Sequence, residues 1–289
     1  MDKCIITASS NRFFPSILNL IGSIKNNYPN HPKIYVYSIE LLPIFKKELK
    51  KIENLELIET PEFCSFWKKC YTWKPYILNQ PLAELNLFLD AGNQVLRPLD
   101  EMFAQIEKNE YFVVSQNTKL HDIIPQEYGF IFNIKNSQEE QPCFASGIFG
   151  FKKSSEVLKT ILQELYESAL CGLCLGFSPK EQERNVGKNK TIFIRNCKIF
   201  RHEQTILNIL FKKYLGDYII NPIEKYAGWQ SPNEHPEQLI WNLRRNYTKL
   251  DYANSVFKKH KKIKKIILNL FFIILTFKRK IKNLLKKHV

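Results

Sequence analysis

The order of apolar and polar stretches predicts an α/β protein, with a mixed, mostly parallel sheet flanked by helices. Short apolar runs that read as buried strands alternate with stretches in which apolar residues return at helical spacing. A strand, helix, strand succession favours parallel pairing with the helix packed on one face of the sheet. The charge separates the C-terminal end from this pattern. Of the 43 Lys and Arg, 12 fall between Lys258 and Val289 with no acid among them, so the formal +15 of the chain leaves 31 bases against 28 acids, or +3, for residues 1–257.

The elements follow in order. Cys4 to Ala8 is a short apolar run ending in Ser9, Ser10 and Asn11, a strand and its turn. Phe14, Ile17, Leu18, Ile21 and Ile24 then predict a helix, which Tyr28-Pro29-Asn30 stops. Lys33 to Ser38 and Leu55 to Ile58 read as strands. The spacing predicts a helix over Tyr76 to Leu85 with Pro75 at its first position, where a missing N–H loses nothing. Leu85 to Leu89 is a strand, Asp90 to Asn93 a turn, Gln94 to Leu96 extended, and Arg97-Pro98-Leu99-Asp100 opens a further helix. Tyr111 to Ser115 is a strand, 116–141 a polar loop region and Phe144 to Phe151 an apolar run. Apolar residues from Val157 to Leu165 predict a helix, 171–200 reads as irregular, and Glu203 to Leu215 is an amphipathic helix.

Composition bounds the class. With 44% hydrophobic residues the chain buries a core, which excludes wholesale disorder. A nearly neutral body excludes a protein that is basic throughout, of the histone or ribosomal kind. The expected organisation is one domain over residues 1–257 and a basic, aliphatic tail over 258–289. Seven cysteines without dense spacing, and the lone pair Cys171 and Cys174, point to structural thiols in a reducing compartment. The opening MDKCIITASSNRFF enters a strand with no apolar stretch of signal-peptide length, so a chain that stays in the cytoplasm is expected. No phosphate-loop, dinucleotide-loop or nucleophile-elbow pattern occurs, which leaves kinase, dehydrogenase and esterase readings unsupported.

Three separated segments carry the chemistry. They are NLFLDAGNQVLRPLDEMF (Asn86 to Phe103), CFASGIFGFKK (Cys143 to Lys153) and RHEQTILNIL (Arg201 to Leu210). Asp90 lies at the carboxyl end of a strand, where ligands of open α/β sheets bind. Read on its own, an Asp before Ala-Gly also serves as a turn former, and Glu203 as an acid at a helix start. Lys74 alone reads as a solvated lysine, with Trp73 and Tyr76 as packing residues, and Ser146-Gly147 as a tight turn or a place of close ligand approach.

In order and spacing these segments resemble those of bacterial glycosyltransferases of the GT-A fold, Rossmann-like in architecture, and within them the family 8-like group. The likeness covers most of residues 1–235. It implies a sugar transferred from a nucleotide-sugar donor to a glycan or lipid-linked glycan of the lipopolysaccharide or capsule kind, and retention at the anomeric carbon. It also implies that Asp90, Glu203 and Gln204 are catalytic and that Ala8, Ser9, Arg12, Lys74, Asp90, Ala91, Gly92 and Ser146 bind the donor. The sequence departs from the group at three positions: Gly92 replaces the second carboxylate of an Asp-x-Asp metal motif, Ala145 an Asn and Glu203 an Asp. A divalent ion, Mg²⁺ or Mn²⁺, would neutralise the donor diphosphate. Its expected ligand is Asp90, joined by Asn93 and a late residue such as His235. The other option is a cationic side chain, Lys74 or Arg12, in place of metal. A catalytically silent relative that binds a nucleotide sugar or a partner enzyme is the second reading. Acceptor specificity is expected from 116–141 and 171–200.

In the tail, lysine clusters flank the run from Ile266 to Phe277. As a helix its 12 residues would span about 18 Å, short of the ~30 Å hydrocarbon core of a bilayer. The expectation is an element lying on an anionic membrane surface, peripheral on the inner face of the cell membrane, with no nucleic acid as partner because no nucleic-acid module accompanies the lysines.

Overall fold

The computed structural model describes residues 1–134, 141–176, 192–194, 197–228, 235–242 and 252. The strands are β1 (Lys3–Ser10), β2 (Lys33–Ile39), β3 (Leu55–Glu59), β4 (Leu85–Leu89), β5 (Asn93–Val95), β6 (Tyr111–Lys119), β7 (Pro142–Lys152), β8 (Ile192–Ile194), β9 (Cys197–Phe200), β10 (Ala227–Gly228) and β11 (Ile240–Asn242). The helices are α1 (Phe14–Asn27), α2 (Pro43–Leu49), α3 (Trp73–Leu78), α4 (Asp100–Asn109), α5 (Leu120–Ile123), α6 (Gln126–Ile131), α7 (Glu156–Leu170), α8 (Glu203–Leu215) and α9 (Ile223–Tyr226).

Six strands form the main sheet in the order β3-β2-β1-β4-β7-β6. β1 pairs in parallel with β2 and β4, and β2 with β3, whereas β7 runs antiparallel between β4 and β6. The mostly parallel sheet is therefore as expected. Along β1, Cys4, Ile6 and Ala8 enter one apolar core and Ile5 the other, as the period of two requires. The first core is closed by α7 and α8 through Leu158, Ile161, Leu165, Ile206 and Leu210. The second is closed by α1 and α4 through Ile17, Leu18, Ile21, Met102 and Phe103. Smaller sheets are formed by β10, β11 and β5 and by β8 with β9.

Two elements differ from expectation. The helix expected over Tyr76 to Leu85 is the six-residue α3, which starts earlier and ends at Leu78. Pro81 follows two residues after the C-cap Asn79 and disfavours a helical conformation before it. The polar region 116–141 carries the end of β6 and two short helices, α5 and α6.

The chain returns to α1 near its end. The backbone N–H of Tyr252 donates to Asn19 Oδ1 at 3.0 Å, and Asn27 Nδ2 donates to the Tyr252 hydroxyl at 3.3 Å. The basic tail 258–289 lies outside the described residues. Among the described residues no helix is long and apolar enough to cross a membrane.

Candidate active site

The site is built where β4 ends. Asp90 follows Leu89, and its N–H donates to the carbonyl of Gly147 on β7 at 2.8 Å. The Asn93 N–H closes the turn on Asp90 O at 3.0 Å, and the Asn93 side-chain amide donates to the same Gly147 carbonyl at 3.0 Å. The turn thus hangs on one carbonyl of the neighbouring strand. Asn93 Oδ1 is buried and has no hydrogen-bond partner among the described residues.

Lys74 arrives from the other side, in the first turn of α3. It is not the solvated lysine that its local sequence suggests, for it is 1% exposed. Its Nζ lies 2.9 Å from Asp90 Oδ1 and 3.2 Å from Glu203 Oε1, and donates to Ser146 Oγ at 3.5 Å. The rings of Phe88, Tyr71 and Trp73 stand 5.1, 5.7 and 5.7 Å away. A buried ammonium is tolerated only when ion pairs and hydrogen bonds compensate its lost hydration, and here two carboxylates and three ring faces do so. Lys74 is delivered by a constrained backbone. Cys70 and Tyr71, just before α3, have φ of +48° and +61°, a region that disfavours residues with a Cβ. Strain of this kind collects at sites where function needs a fixed geometry.

Glu203 opens α8, where the helix dipole favours its charge. Ser146 Oγ donates to Glu203 Oε1 at 2.8 Å, while Glu203 Oε2 is buried with no partner among the described residues. Glu203 is thus an acid at a helix start, as its local sequence suggests, and it also belongs to the ionic cluster. Counted formally, one ammonium and two carboxylates leave the cluster at one negative charge.

Gln204, also buried, meets the side-chain amide of Gln116 on β6. The Gln116 amide oxygen, turned toward Arg201, lies 2.6 to 3.2 Å from its three guanidinium nitrogens. Gln116 and Arg201 had no signal in the sequence, because their contact joins segments far apart in the chain. His202, between Arg201 and Glu203, has φ of +57°, and its Nδ1 lies 2.9 Å from the carbonyl of Cys174.

The structure gathers Asp90, Lys74, Ser146 and Glu203 into one cluster. Ala8 and Ser9 are buried at the end of β1, the neighbour of β4, and the Ser9 hydroxyl donates to Ser10 O at 3.1 Å. Ala91 is buried and Gly92 half-buried in the turn. Arg12 is exposed, 5.4 Å from the Phe13 ring, and forms no ion pair among the described residues. His235 Nδ1 stands 3.8 Å from Glu237 Oε1.

These residues do not fit a dedicated divalent-ion site. Gly92 offers no side-chain oxygen, Asp90 is already paired with an ammonium, and among the described residues no group of three or more His, Cys, Asp and Glu could hold a metal. Hard divalent cations require several oxygen ligands.

The sequence matches no family description and no curated protein. Solved structures share its fold. The galactosyltransferase LgtC, in complex with donor and acceptor sugar analogues, is similar with a TM-score of 0.52 at 11% identity, over 88% of this chain and 94% of that one. The bifunctional glycosyltransferase WbbM gives 0.53 at 13% identity over 89% of this chain, which spans 50% of WbbM. The apo glycosyltransferase GlyE of Streptococcus pneumoniae gives 0.51 at 14% identity, over 94% of this chain and 63% of that one. The architecture, a six-stranded, mostly parallel sheet flanked by helices, is that of GT-A glycosyltransferases.

Proposed function

We propose that the chain is a glycosyltransferase that moves a sugar from a nucleotide-sugar donor to a glycan or lipid-linked glycan of the lipopolysaccharide or capsule kind. The observation that carries this reading is the buried Lys74 bridging Asp90 and Glu203 at the carboxyl end of β4. Carboxylates held rigid by an ammonium accept hydrogen bonds from sugar hydroxyls without reorganising, and such charge-assisted bonds are stronger than neutral ones. Glu203 Oε2 and Asn93 Oδ1 are buried acceptors that hydroxyl groups of a bound sugar would satisfy. Arg12, exposed in the turn after the neighbouring strand β1, would meet the diphosphate.

In this reading Asp90 and Glu203 orient the donor sugar, Gln204 acts beside the reacting carbon, and Ala8, Ser9, Ala91 and Gly92 line the approach of the nucleotide. The tail 258–289 holds the enzyme on the anionic inner face of the cell membrane, where a lipid-linked acceptor is found. A catalytically silent relative is the second reading, favoured by Gly92 in place of a carboxylate.

Hydrolysis and binding of UDP-, GDP- and CMP-sugars test the proposal. Turnover of one donor, lost in Asp90→Ala, is the expected result. Tight binding without turnover to any acceptor would support the silent relative, and failure to bind any donor would overturn the enzyme and leave only a relative that binds a partner protein.

A further inference from the structure

Resting on the donor site just described, we propose that this chain binds its donor without a divalent cation, and that the Lys74 ammonium is a permanent counter-ion in the position such an ion would occupy. Three oxygens converge on Nζ: Asp90 Oδ1 at 2.9 Å, Glu203 Oε1 at 3.2 Å and Ser146 Oγ at 3.5 Å. That is the start of a cation site, filled by a side chain covalently fixed to α3. The Tyr71, Trp73 and Phe88 rings also stand around the ammonium. Aromatic faces suit an ammonium and give no oxygen to Mg²⁺ or Mn²⁺.

The turn agrees with this. Where a second carboxylate would complete a metal pair stands Gly92. A divalent ion placed on Asp90 would face the ammonium across a single carboxylate, and the like charges would repel in a buried setting where screening is weak. The cluster keeps one formal negative charge with Lys74 in place, and would carry two without it.

The test uses Mn²⁺ as probe on the full chain, read by the paramagnetic resonance signal of the free ion, alone and with UDP, GDP or CMP. The expected result, at protein concentrations in the hundred-micromolar range, is a free-ion signal equal to that of a protein-free solution holding the same nucleotide, and nucleotide affinity equal in EDTA and in Mn²⁺. Loss of the free-ion signal beyond that protein-free reference, stoichiometric with protein, or an affinity that falls about tenfold or more in EDTA, would overturn the proposal. Lys74→Met supplies the converse. If the ammonium holds the place of a cation, the folded variant retains Mn²⁺ between Asp90 and Glu203, and a folded variant that retains none overturns the counter-ion assignment. The wild-type titration stands whether or not that variant folds. A chain that binds neither nucleotide nor Mn²⁺ refutes the donor site itself, a result distinct from one that binds nucleotide only with metal.

Discussion

Asn208 grips both polar groups of the Phe144 backbone, accepting from its N–H at 2.8 Å and donating to its C=O at 3.0 Å. This fixes α8 against β7, and it does so five residues from Glu203 on the helix and two from Ser146 on the strand. The contact between Ser146 and Glu203 follows from that register. Asn208→Ala leaves a buried N–H and C=O without partners and is expected to destabilise the fold by about 2–4 kcal/mol. Urea unfolding checks this through a lowered midpoint, and a midpoint equal to wild type would show that the register is held elsewhere.

Lys74→Met is expected to lower stability by about 3–5 kcal/mol, because it strands two buried carboxylates. In the double change Lys74→Met with Glu203→Gln, part of the loss should be regained, since one stranded charge is removed. Additive losses in a thermodynamic cycle would mean that the two residues are not coupled.

Gly150→Ala is expected to destabilise by about 1–3 kcal/mol through overpacking. A Cβ there would lie 2.8 Å from Phe112 Cβ and meet the Ile106 side chain, both in the second core. Thermal unfolding reads the change, and a wild-type melting temperature would mean that Ile106 moves aside freely.

Burial pushes the thiols of Cys4 and Cys70 up to about 12, with the Asp2 and Glu203 charges adding respectively, and those of Cys143 and Cys197 up to about 11. The thiolate is the reactive species, so at pH 8 these four are protonated and slow. Cys171 is exposed. Alkylation with iodoacetamide at pH 8, mapped by mass spectrometry, should label Cys171 first. Labelling of Cys70 at a similar rate in the native protein would contradict the closed setting of the cluster.

Liposome flotation addresses the tail. The full chain is expected to float with anionic vesicles and a chain ending at Phe257 to remain behind. Equal flotation of the two would remove the tail as the membrane-binding element.

Elements that bury a continuous or periodic apolar set were legible in the sequence. β4 lies one for one on Leu85 to Leu89, and α8 on Glu203 to Leu215, because local pattern and tertiary burial agree there. The helix α2 gave no such signal: it buries Leu49 alone and presents lysines elsewhere. The extent of α3 depended on Pro81 more than on its apolar residues. In the site, Asp90 was legible from its place after a strand. The burial of Lys74 was not, since its partners lie 16 residues away at Asp90 and 129 away at Glu203, and only the folded sheet brings them together.

The bonds from Tyr252 to Asn19 and Asn27 set the length of a leash. From that fixed point to Lys258 the chain has six residues, which span about 20 Å at most when fully extended. A surface that captures Lys258 itself therefore holds α1 within that reach.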